Sequence, residues 1–120
     1  GHRVGVATDT GVVTPEIAEA LGGCHALGLE SNHDERMLEV GPYPPFLKRR
    51  IAGDRGHLSN SAAAVALAGL RWKGLAHVYA LHLSEQNNTP GHARDALARS
   101  LGDRASLETI ARNEIGGCAL

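Results

Sequence analysis

The chain has 120 residues, of which 42% are hydrophobic and 21% are charged, and its formal net charge is −1. This size and composition predict one small globular domain over residues 1–120, with a modest core. The balanced charge gives no reason for the whole surface to bind nucleic acid or membrane, although a local basic patch is not excluded. The chain has two cysteines, no apolar run of about 18 residues and no signal-peptide pattern, and we therefore expect a reduced, cytoplasmic protein without a membrane span.

The first thirty residues have the pattern of a strand, a helix and a second strand. Residues 3–9 are rich in β-branched side chains and predict a buried strand that ends at Asp9. Thr14-Pro15 is typical of a helix start, and residues 24–30 predict a second strand that ends at Glu30. Such a short crossover implies a parallel pair of strands. We therefore expect both carboxylates at the same edge of the sheet, where ligands bind in open α/β folds.

The rest of the chain continues the alternation of helices and strands. Helices are predicted at 35–40, at 46–51, at 62–70 with Ser59 or Asn60 as the cap, and from Thr89-Pro90 to 101, and strands at 77–82 and 107–111. Residues 116–120 are expected to form a loose tail. The pattern predicts an α/β layer with a mostly parallel or mixed sheet and helices packed on it.

Two of the seven histidines stand out by their position. His57 lies between a glycine turn and a helix start, and His82 lies near the end of an apolar strand. Both are expected at the sheet edge that receives Asp9 and Glu30. Two histidines and two carboxylates suit a divalent ion such as Zn²⁺ or Mn²⁺. The alternative is a metal-free α/β module with structural histidines, because the usual local metal motifs are absent.

Four motifs in this order carry a resemblance to a known family: Thr8-Asp9-Thr10-Gly11, Leu29-Glu30-Ser31-Asn32-His33-Asp34, Gly56-His57-Leu58-Ser59-Asn60 and Leu81-His82-Leu83-Ser84. The sequence resembles the C-terminal half of a metallo-β-lactamase-fold hydrolase, most closely the YycJ-like branch, over most of its length. The resemblance implies half of an αββα sandwich. It also implies a parent protein that is a metal-dependent phosphodiesterase or exonuclease.

The resemblance also implies a role for each matched residue. Asp9 matches an aspartate that bridges two divalent metal ions, Zn²⁺ or Mn²⁺, and His82 matches the last histidine ligand. His57 matches a histidine that pairs with a carboxylate, here Glu30, and protonates the leaving group. A water activated by the metal would be the nucleophile.

Possible substrate contacts complete the expected site: Lys48, Arg49, Arg50, Asn32 and His33. The three basic residues form either a solvated helix face or a patch that faces a phosphate, and such a patch cannot distinguish DNA from RNA or from a small phosphoester. His33 matches a family position without an assigned role.

The family's main ligand motif, His-x-His-x-Asp-His, is absent from the chain. Asp9 and His82 alone are too few ligands for two metal ions. Because the chain begins with Gly1 rather than Met, directly before a strand, we expect a fragment of a longer hydrolase that is inactive alone. The alternative is a half-protein that completes its site with another chain or a second copy. Either case predicts exposed sheet and helix surfaces.

Overall fold

A computed structural model describes residues 1–102 and 105–110 of the chain. Within these residues, four strands form one parallel sheet in the order of the chain: β1 (Val4–Ala7), β2 (Ala26–Glu30), β3 (His77–Leu81) and β4 (Ser106–Thr109). The helices are α1 (Pro15–Leu21), α2 (Glu35–Val40), α3 (Pro45–Ala52), α4 (Asn60–Leu70) and α5 (Pro90–Leu101). The α/β prediction is confirmed, and the described sheet is parallel throughout rather than mixed. The predicted tail at 116–120, and Cys118 within it, lie outside the described residues.

Hydroxyl side chains begin three of the helices: Thr14 caps α1, Ser59 caps α4 and Thr89 caps α5. In each case the hydroxyl oxygen accepts a hydrogen bond from the backbone N–H three residues later, at 3.0–3.2 Å. Of the two caps predicted for α4, Ser59 is the one used. In the described part of the chain, no helix combines the length and the apolar character needed to cross a bilayer.

The core lies between one face of the sheet and the helices α1, α4 and α5. The strand residues on this face are buried: Ala7, Leu27, Leu29, Val78 and Ala80. The helices contribute Leu21, Ala63, Leu67, Leu70, Ala93, Leu97 and Leu101 to the same cluster. The small residues of α4 allow this helix to pack closely on its neighbours.

The opposite face of the sheet is largely open. Val4 and Val6 are 73% and 61% exposed, and His77 and Glu108 are exposed on the same face. The prediction of a buried first strand is therefore wrong, because β1 is an edge strand of the described sheet with helices on one face only. One helix layer on one sheet is half of an αββα sandwich, as the resemblance implies.

Candidate functional site

Four candidate site residues lie together at the carboxyl edge of the sheet: Asp9, Glu30, His57 and His82. Asp9 follows β1, Glu30 is the last residue of β2, and His82 directly follows β3. The parallel register places these strand ends side by side. The four residues predicted to meet at this edge do so, and we call them the carboxyl-edge cluster.

His57 reaches the cluster because two loops make close backbone contact. Gly11 N–H, in the turn after β1, donates to the carbonyl of Asp54 in the α3–α4 loop at 3.0 Å. A Cβ on Gly11 would lie 1.9 Å from a carbonyl oxygen of this loop, and one on Gly56 would lie 2.2 Å from a carbonyl oxygen of α3. Only glycine allows both approaches. The two contacts hold His57 beside Asp9.

Glu30 is the buried centre of the cluster, and both of its carboxylate oxygens have partners. Oε1 accepts a hydrogen bond from the Asp9 N–H, and Oε2 pairs with Nδ1 of His57. Burial raises the pKa of the Glu30 carboxyl, while the Asp9 N–H and His57 act in the opposite direction. Because Nδ1 of His57 is engaged by Glu30, Nε2 is the ring nitrogen that remains for a ligand.

The donor atoms of the cluster fit a divalent cation. One ligand atom each from Asp9, Glu30 and His57 lie within 4.8 Å of one another. Nδ1 of His82 is 3.8 Å from Oδ1 of Asp9 and 3.9 Å from Oε1 of Glu30. Carboxylate oxygens and imidazole nitrogens are ligands of Zn²⁺ and Mn²⁺. Glu30 would have to give up existing hydrogen bonds to become a ligand, whereas the Asp9 and His82 side chains are 70% and 35% exposed.

Asp9 and His82 share an unusual backbone conformation. Their φ angles are 59° and 55°, and in the described residues they are the non-glycine positions with positive φ. This left-handed region is unfavourable for residues other than glycine, and residues that adopt it are concentrated at functional sites. In both turns the side chain lies close to Glu30, as the distances above show.

Asn32 connects the loops that carry the cluster. Its side-chain Nδ2 donates to the carbonyl of His82 at 3.0 Å. Its backbone N–H donates to the carbonyl of Leu58 at 2.9 Å, and its carbonyl accepts from Ser84 N at 2.7 Å. Asn32 therefore links the loops that follow β2 and β3 to the segment around His57, through its side chain and its backbone together.

A cleft of about 450 Å³ lies beside His57, and we call it the side cleft. It is lined by Gly11, His33, Glu35, Leu38, Glu39, Lys48, Arg49, Ala52, His57, Ser59 and Ala62. Of the expected substrate contacts, His33, Lys48 and Arg49 line this cleft, whereas Arg50 and Asn32 do not. Glu35 and Glu39 were not predicted to face a site, and their only signal was the spacing of four on a short helix.

The sequence did not reveal a contact between two distant asparagines, Asn60 and Asn88. Asn60 and Asn88 are buried and exchange two side-chain hydrogen bonds, at 2.8 and 2.9 Å. Asn88 Nδ2 also donates to the Ser31 carbonyl at 2.7 Å. The pair joins the start of α4 to the loop before α5. The sequence around Asn88 shows two adjacent asparagines before a helix start, which is also typical of an ordinary turn.

Among curated proteins, the chain is 38% identical over 103 residues to the exodeoxyribonuclease YycJ of Bacillus anthracis. This match covers 86% of the chain and 39% of the relative. The chain is also 38% identical over 81 residues to the exodeoxyribonuclease WalJ of two Streptococcus pneumoniae strains, covering 68% of the chain and 30% of each relative. The chain therefore spans less than half the length of these relatives.

No family model and no solved structure matches the chain. The four motifs, the half-sandwich and the relatives nevertheless agree. The chain belongs with the YycJ and WalJ proteins to the metallo-β-lactamase-fold family, over the 30–39% of their lengths that it matches.

Proposed function

We propose that the chain is the C-terminal part of a metal-dependent exodeoxyribonuclease and carries half of its hydrolytic site. The observation that carries the proposal is the buried Glu30 carboxylate, which holds His57 beside Asp9 and His82 at the carboxyl edge of the sheet. Relatives that are named exodeoxyribonucleases support the substrate class. The alternative of a metal-free module does not explain why two carboxylates and two histidines lie together at this edge.

Asp9 and His82 are the proposed metal ligands of this half. Both are accessible, and their side chains come within 3.8 Å of each other. A divalent cation would supply an acidified water as the nucleophile and would neutralise charge on the phosphate. Two ions need more ligands than this pair, and we propose that these come from the region of the relatives that the chain does not match. The chain alone would then be inactive.

His57 is the proposed proton donor to the leaving oxygen. Glu30 engages Nδ1, so that the ring is held in one orientation and Nε2 can carry the proton. General acid catalysis of this kind contributes roughly 10²–10⁴-fold to a rate.

The open face of the sheet is the proposed contact for the rest of the parent protein. Val4 and Val6 are exposed there, and apolar side chains on a sheet face are stable when a second layer covers them. The matches cover 39% and 30% of the relatives, so that 61–70% of their length lies outside. This length is ample for a second layer.

The test uses a hybrid protein in which this chain replaces the matching segment of the B. anthracis relative. We call this hybrid the exchanged protein. We expect it to degrade linear DNA when Mn²⁺ or Zn²⁺ is present. Asp9→Ala and His82→Ala should each abolish the activity, whereas Glu16→Ala, an exposed carboxylate on α1, should not. An exchanged protein that folds and binds metal but hydrolyses no DNA would overturn the proposal.

A further inference from the structure

We infer that the side cleft binds one deoxynucleoside monophosphate unit, with Lys48 and Arg49 at its phosphate and Nε2 of His33 accepting a hydrogen bond from its sugar or base. The inference deepens the proposed function and rests on it for the identity of the substrate as DNA. The residues of this chain that line the cleft include both cations and His33. Binding is measured as an affinity, separately from hydrolysis.

A chain of hydrogen bonds assigns the proton on the His33 ring. The carbonyl of His82 can only accept, so the atom of Asn32 that lies 3.0 Å from it is the NH₂ group. The other end of the same amide is its carbonyl oxygen, which lies 3.2 Å from Nδ1 of His33. Nδ1 must therefore carry the proton in the neutral ring. Nε2 is then an acceptor with a lone pair.

This acceptor is accessible from the cleft. His33 is only 1% exposed, but it is one of the residues that line the side cleft. Burial also lowers the pKa of His33, which keeps the ring neutral and Nε2 unprotonated. In the described residues, the hydrogen bond of the ring is the one between Nδ1 and Asn32. Nε2 is not among the fully enclosed polar atoms without a partner, and it is therefore not sealed from solvent. A buried acceptor of this kind recognises an N–H or O–H donor.

Helix α3 supplies hydrogen-bond donors and positive charge to the cleft, whereas His33 supplies an acceptor. Lys48 Nζ donates one hydrogen bond to the carbonyl of Glu39 at 2.7 Å, and an ammonium group has two further N–H donors for a phosphate. Arg49 adds a second cation that can bind a phosphate in a bidentate manner. Glu35 and Glu39 line the same cleft and balance these charges. The balance favours a single phosphate over a run of phosphates.

The size and position of the cleft agree with one nucleotide. Its volume of about 450 Å³ lies within the roughly 300–1,000 Å³ of small-molecule sites. His57, the proposed proton donor, lines the same cleft. A unit bound there lies next to the group that protonates the leaving oxygen. The cleft is thus the subsite for the nucleotide on the leaving side of the bond.

Two substitutions of His33 separate substrate binding from a structural role. His33→Asn keeps a donor near the position of Nδ1 but removes the acceptor at Nε2, and His33→Gln does the reverse. In calorimetric titrations of the exchanged protein with dAMP, dCMP, dGMP and dTMP, we expect His33→Asn to weaken binding about three- to tenfold, as for the loss of one hydrogen bond. His33→Gln should stay within about twofold of the unaltered protein.

The basic residues of α3 give a second, independent comparison. Arg49→Ala should weaken binding of the monophosphates at least about fivefold, the loss of a charge-assisted contact. Arg50→Ala removes the same charge one position later but does not touch the cleft, and we expect it to change binding by less than about twofold. If the His33 variants fail to fold, as judged by circular dichroism, this pair still decides whether the cleft is the binding site.

Two changes of the ligand identify which of its groups donates the hydrogen bond to Nε2 of His33. A 2′,3′-dideoxynucleoside monophosphate lacks the sugar hydroxyl, and dTMP lacks an exocyclic amino group. If the effect of His33→Asn disappears with the dideoxy ligand, the sugar hydroxyl is the donor. If it disappears with dTMP, an amino group of the base is the donor. Either result supports the inference.

Two results would overturn it: no binding of any of the four monophosphates, or equal binding by the unaltered protein and both His33→Asn and Arg49→Ala. DNA hydrolysis by the exchanged protein is measured separately. Hydrolysis without cleft-dependent binding removes the inference and leaves the proposed function. Binding without hydrolysis removes the proposed function and leaves a nucleotide site.

Discussion

Oε2 of Glu30 pairs with Nδ1 of His57 across 27 positions of the chain, and Oε1 of the same carboxylate accepts the backbone N–H of Asp9. One buried side chain therefore fixes both a histidine ring and the turn that carries a carboxylate. The pairing requires the close approach of the turn after β1 to the α3–α4 loop, which Gly11 and Gly56 permit. Glu30 is therefore the residue on which the geometry of the cluster depends.

Replacing Glu30 by glutamine tests this dependence. The amide has one NH₂ group, which must face either the Asp9 N–H or Nδ1 of His57. The substitution also removes the carboxylate that pairs with the ring of His57. In the exchanged protein we expect Glu30→Gln to lower kcat for DNA hydrolysis by at least about 10²-fold. Glu19→Gln, an exposed carboxylate on α1, is the control, and a Glu30→Gln protein with an unchanged kcat would show that the pair is not catalytic.

The backbone of His82 gives a prediction about stability. Its φ of 55° is unfavourable for any residue with a Cβ, and glycine adopts it without strain. His82→Gly and His82→Ala both remove the ring, so that their difference isolates the backbone term. We expect the glycine variant to be more stable by about 1 kcal/mol in urea unfolding. An alanine variant that is as stable as the glycine variant would mean that this turn stores no strain.

His33 predicts how stability depends on pH. Burial lowers its pKa in the folded state, so the folded protein resists a proton that the unfolded chain binds. This contribution is fully present above about pH 6.5, the ordinary pKa of histidine, and is lost as the pH falls through the lowered value. The free energy of unfolding should therefore decrease on acidification in this range, and less so in His33→Asn. The measurement is urea unfolding from pH 7.5 to 5.

A matched control is needed here, because the raised pKa of Glu30 acts with the opposite sign: it favours the folded state at low pH and loses that contribution as the pH rises. Each variant is therefore compared with the unaltered protein at the same pH. His92→Asn makes the same substitution at an exposed position on α5 and is the matched control. Identical profiles for His33→Asn and the unaltered protein would contradict the prediction.

The two faces of the sheet should respond differently to the same substitution. Val6 is exposed on the open face, and Val78 is completely buried on the helix-covered face. Val6→Thr should change the free energy of unfolding by less than about 0.5 kcal/mol. Val78→Thr places a hydroxyl in the core and should destabilise by about 1–3 kcal/mol. Equal effects in thermal unfolding of the chain would show that the open face is covered in solution.

Local features of the fold could be predicted because local chemistry determines them. Thr14 and Thr89 each stand directly before a proline, and this pair specifies a helix start whatever the rest of the chain does. Asp9 and Glu30 could be placed at one edge because a short crossover allows only a parallel pair. The crossover rule placed the two carboxylates, whereas the position of His57 depends on the backbone contacts that Gly11 and Gly56 allow.

Features that depend on distant contacts could not be predicted in the same way. The β-branched run of β1 indicates a strand but does not say which of its faces is covered, and this depends on layers formed elsewhere. Lys48, Arg49 and Arg50 looked equivalent as a triplet, yet the position of α3 turns the first two toward the cleft and not the third. The side cleft itself exists only because α2 and α3 fold back beside His57.

The most direct measurement of the hydrolytic role is the rate of DNA hydrolysis by the exchanged protein and by its His57→Ala variant, with bound metal determined in both. If His57 is the proton donor, the variant retains the metal content of the unaltered protein and loses at least about 10²-fold in rate. A variant that degrades DNA at the unaltered rate would contradict this role. A variant that loses metal together with activity would make His57 a ligand, with Asp9 and Glu30, and not the acid.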